Sequence, residues 1–73
     1  MQYNFYVRKF CERLKDLRTE KRLSVKELGK KIWVSDATIC RWENNQADIK
    51  SDQLIALAKY FGVTTDYLLG LED

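Results

Sequence analysis

The stretch LSVKELGKKIWVSDATICRWENN, residues 23–45, decides how this chain folds, because it contains two helix-start signals eleven residues apart. Ser24 and Glu27 have the spacing of a capping box, in which a Ser hydroxyl and a Glu carboxylate each pair with a free backbone N–H. Leu23 and Leu28 occupy the two positions of a hydrophobic staple around this cap. The segment therefore predicts that a helix begins at Ser24.

The second signal predicts another short helix after a tight turn at residues 33–34. Ser35 is expected to cap this helix, with Val34 and Ile39 as its staple. Ile39 and Trp42 are three residues apart and face inward together. The remaining residues, most of which share the opposite face, are Asp36, Ala37, Thr38, Cys40, Arg41 and Asn44. A helix that exposes a small, mixed polar edge suits the major groove of DNA.

This stretch resembles the helix-turn-helix of the Cro and lambda-repressor family, also called the xenobiotic-response-element family. The matching residues are Ser24, Glu27, Leu28, Ile32, Val34, Ser35, Thr38, Ile39 and Glu43. The resemblance continues into FCERLKDLR (10–18) and LIALAKYFGVTTDYLLG (54–70), and so covers most of the chain. It implies an all-α, five-helix lambda-repressor-like domain with its motif over about residues 24–44. The implied function is that of a sequence-specific, repressor-like regulator of transcription that binds double-stranded DNA.

Length and composition limit the alternatives. The 73 residues predict a single domain over 1–73, too short to include a catalytic domain, and the absence of His removes the commonest acid–base and metal-ligand side chain. We expect no enzymatic activity, cofactor or metal. Cys11 and Cys40 are too few for a disulfide framework and indicate reduced thiols. With no run of transmembrane length and no leader, we expect a cytoplasmic, nucleoid-associated protein of a bacterium or phage.

Charge is distributed unevenly along the chain. Residues 1–31 contain ten Lys/Arg and four Asp/Glu, whereas residues 32–73 contain three and seven, within a total of +2. This asymmetry is compatible with a basic face turned to a polyanion and, equally, with a solubilising surface on amphipathic helices.

The first helix is expected to start with Asn4 as its cap and to end near Lys21, with residues 1–5 frayed or forming a flexible arm. Phe10, Leu14 and Leu17 form its apolar stripe. The aromatic start YNFY, residues 3–6, lies outside the family pattern. It is expected either to cover the end of the core or to contribute to a dimer contact.

Trp33 is the largest departure from the family pattern, which usually has Gly at this turn because the backbone there needs a positive φ. Two alternatives follow. Either the turn has a different backbone conformation in this chain, or Trp33 adopts the strained positive φ and its ring covers the core.

The last two helices are predicted over 51–61 and from Thr64 to Gly70. The first of them is capped by Lys50 according to family position or by Ser51 according to propensity, and it ends at Gly62. The residues of the fifth helix predicted to form a homodimer surface, or to close the monomer core, are Tyr67, Leu68, Leu69 and Leu71.

The residues expected to approach base edges are Asp36, Ala37, Thr38, Cys40 and Arg41. Arg41 is the strongest candidate, because its guanidinium can donate two hydrogen bonds to guanine O6 and N7. Asp36 can accept from cytosine N4, but a carboxylate at a helix start is also stabilising in its own right. The candidate phosphate contacts are Ser24, Lys26, Asn44, Asn45, Gln46 and Lys50.

Two further features concern the motif. Lys30 and Lys31 are expected to face solvent, and Val25 stands where the family commonly has a Gln that contacts the DNA backbone. The resemblance pairs Arg18 with Glu43 in an ion pair that fixes the third helix against the first.

The alternative function is a protein-interaction module or antitoxin-type partner, which would use the same fold to bind a toxin or another regulator.

Overall fold

In a computed structural model that describes residues 2–46 and 48–72, the chain forms five α-helices joined by short turns. They are α1 (Gln2–Glu20), α2 (Val25–Ile32), α3 (Asp36–Glu43), α4 (Ser51–Phe61) and α5 (Thr65–Leu68). The part of the chain that the structure describes contains no β-strand. The predicted all-α, five-helix fold is confirmed.

The core is enclosed by all five helices: α1 packs against α3 and α5, α2 packs against α3 and α4, and α4 packs against α5. Trp42 at its centre is fully buried, and its ring lies edge-on to that of Phe10, with 6.3 Å between the ring centroids. The other buried members of the core are Cys11, Leu14, Leu28, Ile32, Ile39, Leu57, Ala58 and Leu68. Because Ile39 and Trp42 are both buried, α3 is held by one edge and its other edge remains in water.

The caps predicted from the sequence define the starts of α2 and α3. The Ser24 hydroxyl accepts a hydrogen bond from the backbone N–H of Glu27 at 3.0 Å, and the Glu27 carboxylate accepts from the backbone N–H of Ser24 at 2.8 Å. The Ser35 hydroxyl accepts from the backbone N–H of Thr38 at 3.2 Å. Both helices therefore begin where these local signals place them.

The turn between α2 and α3 keeps the left-handed conformation even though it contains Trp33, with φ 62° and ψ 44°. Its backbone is tight: the N–H of Val34 donates to the carbonyl of Gly29 at 2.9 Å, and a Cβ on Gly29 would lie 2.4 Å from the carbonyl oxygen of Val34. The expectation that the Trp33 ring covers the core is wrong, because the residue is 93% exposed. An indole at this left-handed position points away from the packed helices.

The first helix begins earlier than predicted. Asn4 lies inside α1 and does not cap it, and residues 2–5 belong to the helix and not to an arm; Met1 lies outside the described residues. No Gly or Pro interrupts residues 2–20, so nothing in the sequence stops the helix before Asn4. Phe5 is 49% exposed and packs edge-on against Tyr6, so it does not cover the core.

The last two helices follow the predicted boundaries closely. Lys50 is the N-cap residue of α4, as family position predicts, and its backbone N–H donates to the Gln53 side chain at 3.0 Å. Gly62 ends α4 with φ 70°, and Thr64 caps α5. The Arg13 guanidinium lies 4.3 Å from the centre of the Tyr67 ring, which ties α5 to α1. No helix described here is both long and apolar enough to cross a membrane.

Candidate nucleic-acid interface

The outer face of α3 presents the side chains predicted to read bases. Asp36, Ala37, Cys40 and Arg41 are exposed, and Thr38 is partly buried. Within the described residues, no hydrogen bond or ion pair occupies the Arg41 guanidinium. Its planar donor fork is therefore available for a two-point contact with an acceptor outside the molecule.

Two of these residues also serve the helix itself. The Thr38 hydroxyl lies 2.8 Å from the Ser35 hydroxyl, so the cap of α3 engages it. The Asp36 carboxylate accepts from the backbone N–H of Ala37 at 3.0 Å, in the first turn, where a negative charge suits the helix dipole. Asp36 therefore stabilises the first turn of α3, whether or not it also contacts a ligand.

All six candidates for phosphate contacts are exposed: Ser24, Lys26, Asn44, Asn45, Gln46 and Lys50. The backbone N–H of Gln46 donates to the Arg41 carbonyl at 3.0 Å, and Asn45 adopts a left-handed φ of 65°. These two features fold the loop back onto the last turn of α3. Val25 is partly buried against the core, and its side chain has no group that could replace the family's Gln as a hydrogen-bond donor.

A two-point ion pair between Arg18 and Glu43 joins α1 to α3. The distances are 2.7 Å from Nε to Oε2 and 3.0 Å from Nη2 to Oε1, and the side chains are only 13% and 8% exposed. The remaining guanidinium nitrogen, Nη1, donates to the Leu23 carbonyl at 2.7 Å. The hydrogen bond to Glu43 raises the pKa of Arg18 above its usual value. One guanidinium thus links α1, the approach to α2 and the end of α3.

A second exposed surface lies beside α3 and was not predicted from the sequence. We call it the α2 surface and define it as Lys26, Lys30 and Trp33, which line an open cleft of about 550 Å³ together with Gly29, Val34, Ser35 and Asp36. The three residues have spacings of four and three along α2 and its C-cap, so they share one helix face. That spacing is the signal that could have identified the surface.

The two cysteines occupy different environments. The Cys11 thiol is buried beneath Trp42 and donates to its backbone carbonyl, whereas Cys40 is exposed on α3; both are free. Burial raises the pKa of Cys11. In the described part of the chain, no group of three or more potential metal ligands is assembled.

The predicted dimer surface requires one correction. Leu68 is fully buried in the core, so it closes the monomer and cannot contribute to a contact between copies. It is buried because α5 packs against both α1 and α4. Tyr67 and Leu69 are partly buried, and Leu71 is 56% exposed.

Comparison with known proteins identifies the fold that surrounds this interface. The sequence profile described as Helix-turn-helix matches residues 14–68. The chain belongs to the helix-turn-helix family. The resemblance to the Cro and lambda-repressor type is therefore confirmed, and the match extends from the middle of α1 to the end of α5.

The helix-turn-helix chain is similar to several regulators. It is 33% identical over 64 residues to the HTH-type transcriptional regulator YobD of Bacillus subtilis (strain 168), covering 88% of this chain and 57% of that protein. It is 36% identical over 64 residues to the HTH-type transcriptional activator BcrR of Enterococcus faecalis, covering 88% and 31%. It is 33% identical over 58 residues to repressor protein C2 of Salmonella phage P22, covering 80% and 27%. The chain thus spans between about a quarter and three fifths of these relatives.

Among solved structures, the helix-turn-helix chain is similar to the P22 c2 repressor protein, crystallised in complex with synthetic operator 9T in the presence of Tl⁺. The TM-score is 0.80 at 30% sequence identity, and the match covers 86% of this chain and 96% of the repressor chain. The five-helix arrangement of this chain is therefore that of a repressor domain solved on operator DNA.

Proposed function

We propose that this helix-turn-helix protein is a sequence-specific, repressor-like regulator of transcription that places the outer face of α3 in the major groove of duplex DNA. The observation that carries the proposal is the similarity over 96% of the P22 c2 repressor chain that was crystallised with an operator. The exposed polar edge of α3 supplies side chains of the type that reads base edges. The proposed role is binding and not catalysis.

The residue roles within this proposal follow from exposure and chemistry. Arg41 reads a guanine, Ala37 and the Thr38 methyl contact thymine methyl groups, and Asp36 and Cys40 border the same base pairs. Ser24 and Lys26 hold phosphates beside the start of α2. The loop and cap residues after α3 hold others: Asn44, Asn45, Gln46 and Lys50.

A homodimer on a two-fold symmetric site belongs to the same proposal, since one copy offers few contacts. Half-sites would lie about 34 Å apart, one turn of the duplex. With Leu68 buried, the dimer surface would consist of exposed apolar residues such as Leu71 and Phe5. We place the whole chain, as one domain, in the cytoplasm of a bacterium or phage-infected cell, associated with the nucleoid. The relatives, which come from bacteria and a phage, support this assignment.

The experiment that tests the function is selection of bound duplexes from a random pool, followed by anisotropy titrations of the selected duplex and of mixed-sequence DNA against salt. Affinity should fall with log salt at a slope near −0.9 for each phosphate neutralised. Arg41→Ala should abolish the preference for the selected duplex, whereas Lys26→Ala should weaken both duplexes equally. Weak binding that is flat against salt and equal for all duplexes would refute the function and favour a protein-interaction module.

A further inference from the structure

We propose that the α2 surface is a second DNA-contact site, in which the Trp33 indole lies against a deoxyribose of the DNA backbone while Lys26 and Lys30 contact the adjoining phosphates. The inference rests on the proposed function and adds a contact that the base-reading face of α3 does not include. The new contacts are those of Trp33 and Lys30, because Lys26 is already a candidate phosphate contact.

Among the described residues, the Trp33 side chain joins no core contact that would offset its backbone conformation. Its φ of 62° lies in the left-handed region, which disfavours every side chain other than Gly, and Asn or Asp to a smaller extent. The residue is 93% exposed, and its ring joins neither the core nor any aromatic pair in the described residues. Trp42, by contrast, is fully buried. A binding partner outside the monomer would explain why Trp33 keeps a strained backbone and exposes a large flat ring.

The charge around the ring identifies the partner. Two lysines, Lys26 and Lys30, line the cleft beside Trp33, and Asp36 is the one acidic residue in its lining among the residues that the structure describes. A polyanion complements this surface, whereas an apolar groove on a partner protein would bury two ammonium groups without counter-charges. The cleft also borders Ser35 and Asp36 at the start of α3, so it is continuous with the face proposed to enter the major groove.

The chemistry of the contact follows from the side chains. An indole face packs on the apolar side of a sugar ring, and its Nε1–H can donate to a phosphate oxygen. Each ammonium group neutralises one phosphate and releases its counterion. Because sugar and phosphate carry no direct sequence information, the α2 surface should add affinity equally for every duplex.

The first test uses Trp33→Gly and Trp33→Asn, both of which are compatible with a left-handed backbone and should fold at least as stably as the wild type. Each should weaken binding by about tenfold, to the selected duplex and to mixed-sequence DNA alike. Lys30→Ala should reduce the salt slope by about 0.9. Ile55→Ala and Lys59→Ala, at exposed positions of α4, are the matched controls and should change neither quantity.

The second test uses the contrast between the two tryptophans. In the free protein, acrylamide should quench the exposed Trp33 and spare the buried Trp42. Saturation with the selected duplex should protect Trp33 from quenching. Unchanged affinity in both Trp33 variants, with Trp33 still accessible on bound DNA, would overturn the inference. Loss of base preference in Arg41→Ala would then show that the proposed function holds without a DNA contact by the α2 surface.

Discussion

Removing either partner of the Arg18–Glu43 ion pair should destabilise the protein far more than a surface charge would, and the two losses should not add. The pair is two-point, with N···O distances of 2.7 and 3.0 Å, and both side chains are at least five-sixths buried. Truncating one partner leaves the other desolvated and unpaired, which is the expensive outcome for a charge in a protein interior.

The magnitude follows from the bonds that each variant loses. Glu43→Ala removes two charge-assisted hydrogen bonds but leaves Arg18 bound to the Leu23 carbonyl, so we expect a loss of about 2–3 kcal/mol. Arg18→Ala removes those two bonds and also the bond to Leu23, so we expect about 3–4 kcal/mol. The double variant has no orphaned charge and should cost about 2 kcal/mol less than the sum of the single losses.

Urea unfolding of the wild type, both single variants and the double variant measures these free energies. Lys15→Ala and Glu20→Ala, exposed charges of α1 that form no ion pair among the described residues, are the controls, and each should change stability by no more than about 0.5 kcal/mol. Additive losses in the double variant would refute the reasoning, and so would an Arg18→Ala loss smaller than that of Glu43→Ala.

Three further substitutions test the turn and the core. Gly29→Ala should lower the free energy of unfolding in urea by about 1–3 kcal/mol, since the added Cβ would lie 2.4 Å from the Val34 carbonyl oxygen; an unchanged midpoint would contradict this packing. Trp33→Gly should raise the same free energy by about 1 kcal/mol through relief of the left-handed strain, and a loss would show that the indole stabilises the fold. The wild type should be more stable than Cys11→Ala by its full amount below pH 9.0, and this difference should shrink above pH 9.0. Burial raises the pKa of Cys11 in the folded protein, so just above pH 9.0 only the unfolded thiol ionises. Unfolding in urea at a series of pH values measures that difference. A difference that stays constant at all pH values would contradict the burial of the Cys11 thiol.

Much of the fold could be predicted because its signals are local. Ser24 with Glu27, and Ser35 with its staple, specify helix starts through hydrogen bonds that span only three residues. The spacing of Ile39 and Trp42 determines which edge of α3 is buried, and therefore which edge is left for a ligand. Such features depend on backbone geometry and periodicity, so the sequence by itself contains them.

The errors lie where the outcome depends on what surrounds a residue. No local stop or cap marks the start of α1, so the sequence could not show that the helix extends back to Gln2. The apolar pattern of α5 suits a core and a dimer surface equally, and only packing against α1 and α4 buries Leu68. Trp33 shows the limit most clearly. The turn at Gly29 and Val34 imposes the left-handed conformation, and this conformation directs the indole into solvent, which hydrophobicity alone would not predict.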